Sequence, residues 1–412
     1  MQKDLTTWLP ILLLVVLGTL AGIGKMLQSV GDSDGGVPEE ISVTSRADRG
    51  PGSLRAALFA AMKAPHPVTI RLSVDSIDID VPLPPIAADG TRIVGDAEGP
   101  VLLRRAPGNV SAEALLRVDA DDVSVHHVAI DAAGKPAIFV QGARARLDTI
   151  DVMNSSIAIE SLDSDELTVV DSEFSDNDFG VRLGGSRATA TIRGNVFRGS
   201  RQSGIWVALA TADPDADSDI HIHDNRFVGG RDGIVAVNVL ADVRGNRVSG
   251  FAHAGINLLD ARATVVGNQV LDSKGIGIHV SRLRDSAINA NEVARNEQVG
   301  ILIVDAYGLQ VDGNQVYRNG YGIAAVGLQP IDASVQRNTL SSQSIDGLIA
   351  IGESPFIDGN HSIENAQAGI RIMNLVRPGQ PTIAAEPRLA NNTLSGNGSD
   401  DVQYGDYVVQ SP

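Results

Sequence analysis

The chain has 412 residues, and its 50 Asp and Glu against 33 Lys and Arg give a formal net charge of −17. That balance excludes broad contact with a phosphate backbone, which needs clustered cations, so nucleic acid is not expected as a partner. A hydrophobic fraction of 43% rules out a disordered chain, the lack of cysteine excludes disulfides and thiolate chemistry, and 43 glycines with only 4% aromatics imply many tight turns around an aliphatic interior.

The first element is apolar. Trp8 to Ile23 lies between Lys3 and Lys25. Its length falls between the core of a secretory signal and a spanning helix, so residues 1–27 read as a signal-anchor or a signal peptide. Residues 28–40 are Gly- and acid-rich, as suits a linker. The remainder is therefore expected outside the cytoplasm, in the periplasm or at the cell surface, tethered to the membrane by its N-terminal segment. Residues 41–65 hold a lead-in strand and one helix. Ser53 offers an N-cap, and Leu54, Ala57, Leu58 and Ala61 share one apolar face. That helix is expected to cap a stack of strands whose end would otherwise expose unpaired edges.

From residue 66 to about 400 the chain reads as strands. Val68 to Val101 is strand-like with Pro-rich turns, and Val123 to Ile138, Leu147 to Ile159 and Leu167 to Val181 alternate apolar and polar residues. A repeat then becomes explicit. A Gly-apolar pair recurs at Gly180-Val181, Gly204-Ile205, Gly233-Ile234, Gly255-Ile256, Gly277-Ile278, Gly300-Ile301, Gly322-Ile323, Gly347-Leu348 and Gly369-Ile370. Asparagines alternate with it at 195, 225, 246, 268, 291, 314, 338, 360 and 392. From Asn246 to Asn360 the steps are 22, 23, 23, 24 and 22. Such a unit cannot bury its apolar face alone, but stacking coils at about 4.8 Å does so. The spacing predicts a parallel β-solenoid of about 11–12 coils, with an inward file of branched aliphatics and a second file of stacked amides. Gly-Asn pairs are expected to supply left-handed turns. Residues 401–412 form an acidic tail.

The Gly-Ile and Gly-Asn ladder resembles the right-handed parallel β-helix repeat of the pectate-lyase-like superfamily. The segment Asp48-Arg49-Gly50-Pro51-Gly52-Ser53-Leu54-Arg55 resembles the opening of many bacterial surface β-helix proteins. A leucine-rich repeat also stacks asparagine at this period, but it wants a helix where this unit has a second Gly-rich strand. The resemblance implies an all-β fold. It leaves chemistry open, because that superfamily holds polysaccharide lyases, hydrolases, epimerases and pure binders.

Candidate chemistry follows from the columns. Asn to the next inward aliphatic always takes 9 or 10 residues, whereas Ile205 to Asn225 takes 20 and Ile370 to Asn392 takes 22. Insertions at Ala208–Asp219 and Asn374–Leu389 thus fall on one turn, as binding loops do. Beside them, Arg182, Trp206, Asn257 and His279 are candidate sugar-binding residues, since an aromatic face stacks on a ring and Arg pairs with an acidic sugar. In the hydrolases of the superfamily, acids just before such a strand do the chemistry, and Asp232 and Asp346 match that place. They lie five coils apart, roughly 20–24 Å, too far for a carboxylate pair working at roughly 5–9.5 Å. The sequence instead marks Arg231, Asp232 and His253 for proton abstraction of the lyase or epimerase type, with Asp232 orienting the base. Against this, Asp-Gly is an ordinary turn dipeptide and His253 can be a solvated turn residue. The signatures Gly-His-Gly, Asn-Thr-Asp, Asp-Pro-His-Asp and Trp-Ile-Asp-His are missing.

Asp213, Asp215 and Asp217 alternate in the first insertion and could wrap calcium, or form a solvated acidic loop. His221 and His223 point the same way on the next strand and, with Asp224, offer transition-metal ligands or a plain surface pair. Leu302, Ala324 and Ile349 form an outward apolar run, for a protein partner, for self-association, or for cover by a neighbouring turn. Two functions are therefore expected: a tethered β-helix that binds or modifies an acidic polysaccharide, or a non-catalytic solenoid that presents loops to a protein.

Overall fold

One turn shows how the chain winds. Arg262–Val266, Gln269–Leu271 and Ile276–Ser281 are three short strands separated by two tight corners and followed by a longer connection. Each pairs in parallel with its counterpart one turn on, at Ala287–Asn289, Glu292–Ala294 and Val299–Val304. The computed structural model describes residues 37–409 except 97–98, 164, 211–217, 328–331 and 353. The apolar segment Trp8 to Ile23 lies outside the described residues. Among those described, no helix is long and apolar enough to cross a membrane.

Repetition of that turn gives an all-β parallel solenoid of about 13 turns, slightly more than the amide spacing predicts. The first strands build one fifteen-stranded sheet, from Glu40–Val43 to Arg388–Ala390. The second and third strands make a sheet of 24 strands, because on three turns they fuse: Val196–Leu209, Arg226–Val237 and Arg247–Leu259 run without a break. The winding already starts before residue 66, where Glu40–Val43 pairs in parallel with Thr69–Leu72. The last strand, Val402–Val408, pairs with Ile370–Val376 and carries the winding past residue 400.

Four files of side chains hold the stack. Val181, Ile205, Ile234, Ile256, Ile278, Ile301, Ile323, Leu348 and Ile370 lie in register and are buried. Phe174, Phe197 and Phe227 stack with centroids 4.8 Å apart, which is the turn spacing itself. The glycine before each inward aliphatic is there for room. A Cβ on Gly277 would stand 2.6 Å from both the Gly300 carbonyl and Val293.

The amides form the third file. The Asn268 Oδ1 accepts from the Asn246 backbone N–H and Nδ2, each at 3.0 Å. Its own Nδ2 donates to the Val243 carbonyl at 2.9 Å and to Asn291 Oδ1 at 3.0 Å. Every corner amide thus satisfies a buried N–H of the turn before it, which backbone pairing alone leaves open. The left-handed residue at this corner is the one before the asparagine, as at Gly245, Gly267 and Gly313 or at Asp224 and Ala290, and not the asparagine itself. A fourth file, unforeseen from the sequence, runs along the next corner through Asn296, Asn319, Gln343, Asn365 and Asn397.

The N-terminal end is closed by the helix Leu54–Ala61, which buries Leu54, Ala57, Leu58 and Ala61. Ser53 accepts the Ala56 N–H at 3.2 Å. Arg55 ties the opening segment together: it reaches Asp48 Oδ1 at 2.7 Å and the Val81 and Pro82 carbonyls at 2.8 Å. Gly50 and Gly52 take φ of 98° and 75° in the turn that feeds it.

Candidate active-site ribbon

The third strand of each turn sets the ribbon. Its outward positions align Arg182, Trp206, Val235, Asn257, His279, Leu302, Ala324, Ile349 and Arg371 in continuous register. Parallel pairing keeps one residue of each turn directly over the next, so a single column presents side chains at about 4.8 Å intervals.

Asp232 opens the third strand of its turn and is only 4% exposed. Its Oδ1 accepts the Ala254 backbone N–H at 3.1 Å and contacts His253 Nδ1 at 2.6 Å. A carboxylate only accepts, so Nδ1 carries the hydrogen and the neutral ring keeps its lone pair on Nε2. The His253 side chain is half exposed. Arg231 places Nε 3.7 Å from Asp232 Oδ2 and donates from Nη1 to Gln202 Oε1 at 3.3 Å. Arg231, Asp232 and His253 are therefore one cluster.

His279 sits one turn below Asn257, with its Nδ1 3.0 Å from Asn257 Oδ1. Burial lowers the His279 pKa below the ordinary imidazole value, and the nearby His253 pushes the same way, while Asp232 opposes. Upstream, Trp206 meets the Phe179 ring edge-on at 5.9 Å, and the Arg182 guanidinium lies 5.7 Å from that ring's centre. Arg182 also approaches Glu160 at 3.6 Å. This is a loose, exposed pair, worth at most about 1 kcal/mol, and a ligand carboxylate can displace it.

Other expected positions behave differently. Asp346 is bound bidentately by Arg371, at 2.6 and 2.8 Å, and accepts the Ala368 N–H at 2.9 Å. Ala324 and Ile349 do not form an open apolar patch. They are 5% and 6% exposed, cluster with Ile351 and Leu375, and Leu302, Tyr321, Met373 and Ile383 pack on them. The second insertion folds back through an antiparallel Leu375–Ile383 pair, which supplies that cover. Asp213, Asp215 and Asp217 lie outside the described residues. A shallow depression on later turns is lined by Arg295, Glu297, Arg318 and Ser344 and includes none of the ribbon residues.

Residues 214–355 match the family described as right handed beta helix region. The chain folds as a right-handed parallel β-helix. No curated protein matches its sequence. Among solved structures, the β-helix is similar to tailspike protein 3 of bacteriophage CBA120, at 11% identity over 84% of this chain and 58% of that one, with a TM-score of 0.51. It also aligns with the A-module of the mannuronan C-5 epimerase AlgE6 of Azotobacter vinelandii, at 14% identity, 87% and 98% coverage and a TM-score of 0.48. The catalytic domain of a GH87 alpha-1,3-glucanase in complex with nigerose aligns at 12% identity, 90% and 68% coverage and a TM-score of 0.40. At these identities the likeness is one of fold.

Sequence reasoning missed Phe179, Glu160 and Gln202. Each acts through a neighbour one turn away, at a separation of 22 to 29 residues that only the register reveals. The β-helix thus offers a basic imidazole nitrogen at the surface, a buried carboxylate behind it, a guanidinium beside it, and an arginine with an indole about two turns upstream.

Proposed function

We propose that this β-helix binds an acidic polysaccharide along the ribbon from Arg182 to His279 and that His253, oriented by Asp232, withdraws the proton from the carbon bearing a uronate carboxylate. The 2.6 Å contact between His253 Nδ1 and the buried Asp232 carries this reading. It fixes the ring's orientation and tautomer, and Asp232 stabilises the imidazolium formed when Nε2 takes the proton. The C–H electron pair passes into the carboxylate, where Arg231 meets the added charge. Return of a proton to the opposite face epimerises the sugar. Expulsion of the oxygen on the next carbon breaks the chain as a lyase does.

Arg182 and Trp206 would hold a neighbouring sugar by charge and stacking. Binding of the full-length protein to a panel of uronic-acid polymers tests this directly. R182A and W206A should each weaken binding by about tenfold, the size of one lost contact of 1–2 kcal/mol. Parent-like binding in both variants would refute the ribbon as the sugar site. The work is further proposed to occur outside the cytoplasm, at the membrane. That rests on the apolar run Trp8 to Ile23, and fractionation with protease protection checks it.

A further inference from the structure

The fifteen-stranded sheet carries a second cluster, on a different sheet from Asp232. His221 and His223 project from one side of Ser218–His223, and Asp242 lies directly opposite His221 on the next turn's strand, Leu240–Arg244. His223 Nε2 is 3.1 Å from Asp242 Oδ2, and His221 Nδ1 is 3.8 Å from the same oxygen. The three donor atoms all lie within 4.8 Å of one another. Asp224, the carboxylate adjacent in sequence, sits instead at the corner with φ 54°.

Three details distinguish this cluster from an ordinary surface pair. First, His221 Nδ1 and His223 Nε2 are both buried, and neither makes a hydrogen bond among the described residues. His221 Nδ1 lies beyond hydrogen-bonding reach of Asp242 Oδ2, and His223 Nε2 stands close to that oxygen without bonding to it. Two shielded imidazole nitrogens around a carboxylate oxygen lack a partner, and a cation bound between them would satisfy all three at once. Second, the other Asp242 oxygen is taken by Arg244, so Oδ2 alone is left to the histidines. Third, Asp219 Oδ1 stands 3.2 Å from His221 Nε2. That arrangement puts the ring hydrogen on Nε2 and aims the Nδ1 lone pair inward, as carboxylates do behind metal-bound histidines.

We propose that His221 Nδ1, His223 Nε2 and Asp242 Oδ2 bind a divalent late-transition-metal ion of the zinc type. Ligands about 2.05 Å from a tetrahedral ion stand about 3.3 Å apart, and the observed 3.1 and 3.8 Å bracket that value. Two imidazoles select such an ion over calcium or magnesium, which prefer oxygen. The fourth position remains open to water or an anionic group. Because its ligands come from two successive turns, the ion also staples those turns together beside the first insertion.

The test uses the full-length chain without a histidine tag, stripped with chelator and titrated with cobalt(II) as a visible probe. One equivalent should produce the intense bands of four-coordinate cobalt, zinc should displace it, and millimolar calcium should not. H221A and H223A should each weaken binding at least 100-fold with an unchanged far-ultraviolet spectrum. D219N should weaken it about tenfold through the outer shell. Zinc should raise the melting temperature of the parent and of a D213N/D215N/D217N variant alike. Weak six-coordinate cobalt bands, tight binding that survives in the H221A/H223A double variant, or binding lost only in the triple asparagine variant would overturn the proposal.

Discussion

Asp232 and Asp346 occupy the same place on turns five apart, and they end in opposite states. Each precedes a Gly-apolar pair, is buried, and accepts the N–H of an alanine on the next turn. Asp346 is then closed by a bidentate arginine, which itself is mostly buried. Asp232 is closed by an imidazole whose far nitrogen reaches the surface. A carboxylate at this corner is thus first a structural device that satisfies the backbone. What its remaining oxygen capacity holds decides whether the site is sealed or chemically available.

That contrast can be broken from either side. Replacing the imidazole by H253R should turn the first site into a copy of the second. The fold should persist, and conversion of polyuronate should fall by at least about 100-fold, the usual worth of a general base. Retained conversion would remove His253 from the chemistry. R371M should do the reverse damage. It leaves the Asp346 carboxylate buried without its cation, for a loss of about 3 kcal/mol, while polymer binding at the stretch from Arg182 to His279, four or more turns away, stays as in the parent. Chemical denaturation reads the first outcome, and binding titration the second.

Sequence periodicity exposes whatever repeats by residue type. The glycine and asparagine files, the inward aliphatics and the outward ribbon column are all recoverable from spacing, and the structure places them in those registers. The second amide file escapes because its residue changes between Asn and Gln and is absent from several turns. Cover on Ala324 and Ile349 is one of the readings the sequence offers, but its source escapes because it is an insertion, which breaks the period by definition. Within the candidate site, Arg231, Asp232 and His253 can be picked out together, with Asp232 as the orienting group. The hydrogen bond between Asp232 and His253 depends on a register shift at Gly230/Asp232 that no spacing rule announces.

A smaller effect sharpens the ribbon's electrostatics. The His279 pKa is depressed from its ordinary 6.5 by burial and by His253. As pH falls below that value the unfolded chain takes up a proton before the folded one, so this residue lowers stability on the acid side. H279Q should therefore show a flatter stability profile than the parent between about pH 7 and pH 5. A steeper acid decline in the variant would mean that the imidazole is stabilised in its charged form.

Exchange of substrate hydrogen with solvent is the most direct measurement. Full-length protein incubated with polyuronates in heavy water should place deuterium on the carbon that bears the carboxylate, whether the outcome is inversion or cleavage. D232N and H253A should abolish that label, and R371M should keep it. No deuterium from any polyuronate, or equal labelling by the parent and H253A, would contradict the assignment of His253 as the base.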